Sequence, residues 1–257
     1  MGPKVYLVSY PHFNVDAFLA FLDGQGTSWE RTPGATQEEE IVEAAGRICY
    51  MSFGEAQSPR TNAEYSRRLI LMEHESVLEH VCWGFLVAGV SRAFSHQLVR
   101  HRVGFAFSQL SQQYHEETGA RFVEPPLKLS LEARAAWEHS IQAAREAYGQ
   151  ILGSLKELEE QACDDALEKR EIRRAIHSTA RSVLPNATET IIFVTANARA
   201  LRHFFTVRGS IPGDLEMRQV AAEMLKHVKG MAPALFFDFE AEAMADGSPT
   251  VVHRSRT

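Results

Sequence analysis

Acidic residues are missing from two long stretches of an otherwise acidic chain. The 257 residues sum to a net charge of −6. Yet no Asp or Glu stands between Glu79 and Glu116, a span holding Arg92, Arg100, Arg102 and several histidines. A second gap runs from Thr190 to Gly213 and encloses Arg199, Arg202 and Arg208. The overall acidity argues against a general nucleic-acid binder, which carries a positive excess across the domain. Two cationic islands in such a chain point to a local site for a small anion, a phosphate or a carboxylate. The alternative is that these arginines pair with acids from elsewhere in the fold.

Other absences narrow the class. Three cysteines, Cys49, Cys82 and Cys163, are odd in number and far apart, which excludes a disulfide framework or a zinc knuckle and suits a reducing cytoplasm. No apolar run approaches the ~18 residues of a membrane span, so no membrane association is expected. The first residues, MGPKVYLVSYPHF, lack a secretory core. HExxH is absent, and the cluster His74, Glu75, Glu79, His80 in EHESVLEH has no zincin spacing, so no metal is expected. Ser111 could form a Ser–His pair with His101 or His115, but GxSxG is absent. GxGxxG and the P-loop are absent too. A nucleotide would then be held by side chains, and the hard chemistry would belong to a bound cofactor.

What is present reads as one α+β (α/β) domain over residues 1–257, with helices around a mixed or antiparallel sheet. KVYLVSY (4–10), HVCWGFLVAGV (80–90) and ETIIFVT (189–195) have the branched and aromatic content of strands. Helices are expected near 14–23 and 37–48, and from a Thr61–Glu64 capping box to about His74. Others are expected over SRAFSHQLVRH (91–101), capped by Ser91, from Ser130 to about Cys163, over 167–184, over 197–208 and over 214–229. On the 91–101 helix, Gln97 with His101 and His96 with Arg100 would share faces. The end of the chain, from about 241 and including VVHRSRT, is expected to be mobile.

Four blocks in order then carry a resemblance. GRICY (46–50), EHESVLEH (73–80), RHR (100–102) with QLSQQY (109–114), and ARSVLP (180–185) with TANARALRHFFTVR (195–208) resemble the signature segments of the flavin-dependent thymidylate synthases. The resemblance implies a homotetramer that binds FAD and uses NADPH and methylenetetrahydrofolate to methylate C5 of a uracil nucleotide. It implies that His74, Ser76, Glu79, Arg100, His101, Arg102, Asn197, Arg199 and His203 hold the flavin. It places Gln97, Arg100, Gln109, Leu110, Ser111, Gln113, Arg181 and Arg208 at the nucleotide, with Arg208, Arg100, His101 and Ser111 nearest the chemistry. Ser111 becomes a nucleotide ligand rather than a nucleophile. Charge that moves onto uracil O2 and O4 needs fixed cationic or N–H donors, and Arg208 is expected to supply them.

Two departures fall in the expected nucleotide site. Eight residues, Val103 to Leu110, separate Arg102 from Ser111, one more than the family pattern. Gln113 stands where the family usually has arginine. Loss of a charge-assisted hydrogen bond costs about 1.5–3 kcal/mol, whereas an amide can exchange hydrogen bonds with a hydroxyl. The expectation is therefore a uridylate methyltransferase that accepts UMP alongside or instead of dUMP, as a modified-nucleoside (antibiotic-type) pathway would need. The alternatives are a synthase strict for dUMP and a non-catalytic flavin- or nucleotide-binding homologue.

Overall fold

The computed structural model describes residues 2–160 and 166–254. The fold is α+β, with six strands and eight α-helices among the described residues. β1 (Lys4–Ser9), β2 (Cys82–Ser91), β3 (Phe105–Gln109) and β4 (Glu189–Asn197) form a sheet in the order β1-β2-β4-β3. β5 (Phe239–Ala243) and β6 (Pro249–His253) form a separate antiparallel pair. The helices are α1 (Val15–Gly24), α2 (Gln37–Ile48), α3 (Asn62–Leu71), α4 (Arg92–Leu98), α5 (Leu131–Glu160), α6 (Ala166–Ala180), α7 (Ala198–Arg208) and α8 (Leu215–Met231).

The described chain divides into two compact units. One comprises Ala88–Leu98 and Ser108–Ile192; the other comprises Pro3–Val87, Val99–Phe107 and the described residues from Phe193 onward. In the first, α5 and α6 bury Tyr148, Leu152, Ile176 and Ala180 against one another. In the second, Trp83, Phe204, Phe205, Phe236 and Phe239 are all buried and make tilted or edge-on ring contacts near 5.8 Å. Such geometry suits the ring quadrupole. A satellite cluster of Leu22, Trp29, Ala44 and Phe53 lies under α1 and α2.

Helix starts follow their caps. Thr36 and Glu39 form the reciprocal capping box of α2, each side chain holding the other's backbone N–H. Thr61 does accept from Glu64 N, but the Glu64 carboxylate bonds the Thr61 hydroxyl instead of its backbone, so the box expected there is half made. Ser91 Oγ accepts from Phe94 N at 3.0 Å and Ser130 Oγ from Ala133 N, as their positions predict.

Helix ends differ more. α3 stops at Leu71, short of His74: Glu73 takes φ +59°, and His74 N bonds Leu69 O while Glu73 N bonds Ile70 O, the Schellman pattern. α4 stops at Leu98, where the chain leaves one unit for the other, so the face-sharing pairs expected on a 91–101 helix do not form. α6 gives way to a 3₁₀ turn at Arg181–Val183. The end of α5 expected at Cys163 lies outside the described residues.

Of the end of the chain expected to be mobile, residues 255–257 lie outside the described residues. Residues 239–253 form the β5–β6 hairpin, with Val251 only 2% exposed. The cause is a buried ion pair. Arg202 on α7 donates to both Asp238 oxygens (2.7 and 2.6 Å), and His253 Nε2 lies 3.0 Å from Asp238 Oδ2 with its ring stacked on Phe239.

Candidate functional site

The residues expected at the flavin all fall in the second unit. The Schellman turn after α3 turns the chain at His74, which lines a cavity of about 340 Å³ with Tyr50, Tyr65 and Arg68. Ser76 and Glu79 follow on a 3₁₀ turn, and Glu79 is exposed. Glu79 Oε1 accepts from Arg199 Nη1 at 2.6 Å, which ties the EHESVLEH block to the start of α7. Asn197 caps α7, with Oδ1 accepting from Ala200 N at 2.8 Å, so that oxygen is committed to the helix.

Gly104 sits against this cap with φ +73°; a Cβ there would lie 2.7–2.8 Å from Asn197 and Ala200 side-chain atoms. Val103 and Gly104 form a turn just before β3.

His101 is the hub of this unit's site. Arg208 Nε donates to His101 Nε2 at 3.1 Å, and the imidazole meets the rings of Phe204, Phe105 and His203 at 5.2, 5.8 and 6.4 Å. Burial pushes the His101 pKa down, and the Arg208 charge and then His203 push it the same way. Arg100 and Arg102 are exposed and have no carboxylate partner among the described residues. Arg208 has none either. The pairing alternative therefore holds for Arg199 and Arg202 and fails for Arg100, Arg102 and Arg208.

Most of the residues expected at the nucleotide fall in the first unit. Gln109 Nε2 donates to Ser95 Oγ (2.8 Å) and Thr190 Oγ1 (3.2 Å), which leaves its Oε1 to accept from a ligand. Leu110 is held through both backbone atoms, its N to Ile191 O and its O to Arg92 Nη1. Ser111 Oγ accepts from Gln113 N, and among the described residues no imidazole bonds it. The Gln113 carbonyl accepts from His177 Nδ1 at 3.2 Å. Gln97 is exposed on α4.

Arg181 lines a cavity of about 420 Å³ with Arg92, His96, Gln112, Ser178 and Ser182. Sequence reasoning missed Arg92 and Gln112 as site residues, although Arg92 stood in the acid-free stretch right after a strand. Burial lowers the Arg92 pKa; Glu117 opposes this and the like charge of Arg181 adds to it. Two like-charged arginines line this cavity, and neither is bonded to a carboxylate among the described residues, a chemistry that suits a phosphate-sized anion. Glu117 is itself buried, its Oε1 3.8 Å from His115 Nδ1 and without a hydrogen bond, and burial raises its pKa while His115 and Arg92 oppose the rise.

Among the described residues no group of three or more His, Cys, Asp or Glu side chains is placed to hold a metal, and no helix is long and apolar enough to cross a membrane. Residues 33–234 match the family described as thymidylate synthase complementing protein. A protein of Mycobacterium tuberculosis named flavin-dependent thymidylate synthase is 40% identical over 89% of both chains. Its namesake in Corynebacterium aurimucosum is 41% identical over 90% of this chain and 92% of its own. One in Mycolicibacterium gilvum is 43% identical over 81% and 82%. The chain belongs to the flavin-dependent thymidylate synthases. It is an enzyme of the methyltransferase type.

Proposed function

We propose that this flavin-dependent thymidylate synthase methylates C5 of a uridylate, accepting UMP as well as dUMP, with FAD as cofactor, methylenetetrahydrofolate as one-carbon donor and NADPH as reductant. The observation that carries the reading is a set of arginines with no bonded carboxylate among the described residues: Arg92 and Arg181 at one cavity, Arg208 against His101, and Arg100 and Arg102 on either side of His101 in sequence.

The donor set fits a flavin dinucleotide. Arg100, Arg102 and the anchored Arg199 can bind its diphosphate, Ser76 and His74 can hydrogen-bond it, and the stacked rings of Phe105 and Phe107 (5.6 Å, 11° apart) stiffen the segment beside them. When bound, the reduced flavin supplies the electrons that convert a transferred one-carbon unit into a methyl group. The protein's share is binding and electrostatics. Arg92 and Arg181 hold the 5′-phosphate, and Gln109 Oε1 accepts from an N–H or O–H of the nucleotide. Arg208 stabilises charge that gathers on O2 or O4 while C5 is nucleophilic. With two arginines supplying the phosphate charge, the effect of Gln113 falls on the sugar, where an amide can bond a 2′-hydroxyl.

A homotetramer is supported by β4, which buries Thr190, Ile192, Val194 and Ala196 on one face yet leaves Ile191 and Phe193 39% and 37% exposed on the other. A cytoplasmic location and small-molecule partners, with no nucleic acid or membrane, complete the reading.

The test is tritium release from C5-labelled dUMP and UMP in parallel, with FAD, NADPH and methylenetetrahydrofolate supplied. Release from both supports the reading. Release from dUMP alone leaves a strict thymidylate synthase, a reading favoured by the Arg92–Arg181 pair, which needs no arginine at 113. No release from either, from protein that holds FAD, leaves a non-catalytic homologue.

A further inference from the structure

We infer that His101 is a positioning residue for Arg208: its neutral imidazole accepts at Nε2 from Arg208 Nε, fixes the plane of the guanidinium, and releases it on taking up a proton. This rests on the reading of Arg208 as a nucleotide-site residue.

An arginine side chain only donates, so the 3.1 Å contact requires a lone pair on His101 Nε2 and a proton on Nδ1. The ring is held in that pose by the edge-on Phe204 (87°) and by Phe105 from β3. The groups facing it that carry or can carry charge are Arg208 and His203, both from α7, and Arg100 and Arg102 flank it in sequence. All are cations or become so on protonation, and no carboxylate is bonded to the ring among the described residues. A second proton on His101 therefore breaks the contact and places cation against cation. The lowered pKa agrees with that geometry.

The rest of Arg208 is already fixed. It is the last residue of α7, and the next residue is pinned from outside: Gly209 O accepts from Val251 N at 2.8 Å, and a Cβ on Gly209 would lie 2.5 Å from Val251 Cβ. What the backbone leaves open is the torsion of the guanidinium. With Nε engaged, Nη1 and Nη2 have no other partner among the described residues and remain as a planar fork for a ligand. A fork in a set plane is what recognition of a uracil edge demands, and a freely turning one loses that selectivity.

Two measurements test this. In full-length protein labelled with ¹⁵N-histidine and free of added ligand, the His101 signals, assigned by their loss in His101→Gln, should show the Nδ1–H tautomer and a midpoint below 6.5, the ordinary value. In Arg208→Gln that midpoint should rise. An Nε2–H tautomer, or a midpoint indifferent to Arg208→Gln, overturns the inference.

Dissociation constants of dUMP and UMP are then measured on FAD-saturated protein at pH 8 and at a pH below the His101 midpoint found in the first measurement. The nucleotide's own phosphate titrates near ~6 in every case, so the readout is the difference between proteins. In the His101→Gln variant the introduced amide oxygen accepts from Arg208 at either pH, because an amide does not titrate in this range. Wild type should lose about tenfold more affinity on acidification than that variant. Equal losses overturn the positioning role alone. Absence of nucleotide binding by wild type at both pH values overturns the nucleotide-site reading and the role with it.

Discussion

Arg202 and Arg92 come from equally acid-poor stretches and end in opposite situations. Arg202 is buried and bidentate to Asp238, whereas Arg92 lines a cavity beside Arg181. Removing one partner of a buried pair strands the other charge, so Asp238→Ala should destabilise the fold by about 3–5 kcal/mol, read as a lower urea midpoint. Local sequence could not separate the two arginines, because Asp238 lies 36 residues beyond Arg202. It could separate Gln113 from a charged side chain. On the reading given above, Gln113→Arg should shift the UMP:dUMP ratio of kcat/KM about tenfold towards dUMP in competition assays. An unchanged ratio would remove Gln113 from sugar selection.

At the scale of elements, patterns closed by local chemistry were readable and those closed by distant contacts were not. β2, β4, α2, α7 and α8 lie within a few residues of their expected bounds, because alternation, helical periodicity and caps are carried by neighbours in sequence. β3 was not expected at all: FAFSQ is short, and its place is set by contacts such as Asn197 N to Gly104 O. The EHESVLEH and RHR blocks were found as motifs, but that His101 would leave its helix and meet Arg208, 107 residues away, depends on α4 stopping at Leu98. The Val103–Gly104 turn is the element most exposed to substitution. Gly104→Ala requires both φ +73° and displacement of the Asn197 cap, and should cost about 1–3 kcal/mol of unfolding free energy. It should also weaken FAD retention after desalting, since the same cap opens the helix that carries Arg199 and His203.

The whole molecule should lose stability on acidification in two stages. Folding lowers the His101 pKa from 6.5, so the unfolded chain binds more protons and stability falls as pH drops below that value. Burial opposes ionisation of Asp238, but Arg202 and His253 outweigh it and lower its pKa from 3.8. Its contribution is present above 3.8 and is lost as pH falls further through the depressed value. Urea midpoints at pH 8, 4 and 2 should therefore decline at each step, and His101→Gln should flatten the first stage only. Assembly is testable at the same scale. Phe193→Lys on the exposed face of β4 should convert a proposed homotetramer to smaller species in light scattering, and an unchanged mass would place the interface elsewhere.

The β5–β6 hairpin has a practical side. β6 backs Gly209 through Val251, and His253 closes on Asp238, so the closing stretch of chain braces the far end of the helix that presents Arg208. A stop codon placed before residue 249, in what looks from sequence like dispensable polar coil, would shorten the protein by less than a tenth, yet it would take away the strand behind an arginine some forty positions upstream. Libraries of shortened chains should thus show a sharp edge near His253, and a purification handle fused beyond Arg254 should leave that brace in place.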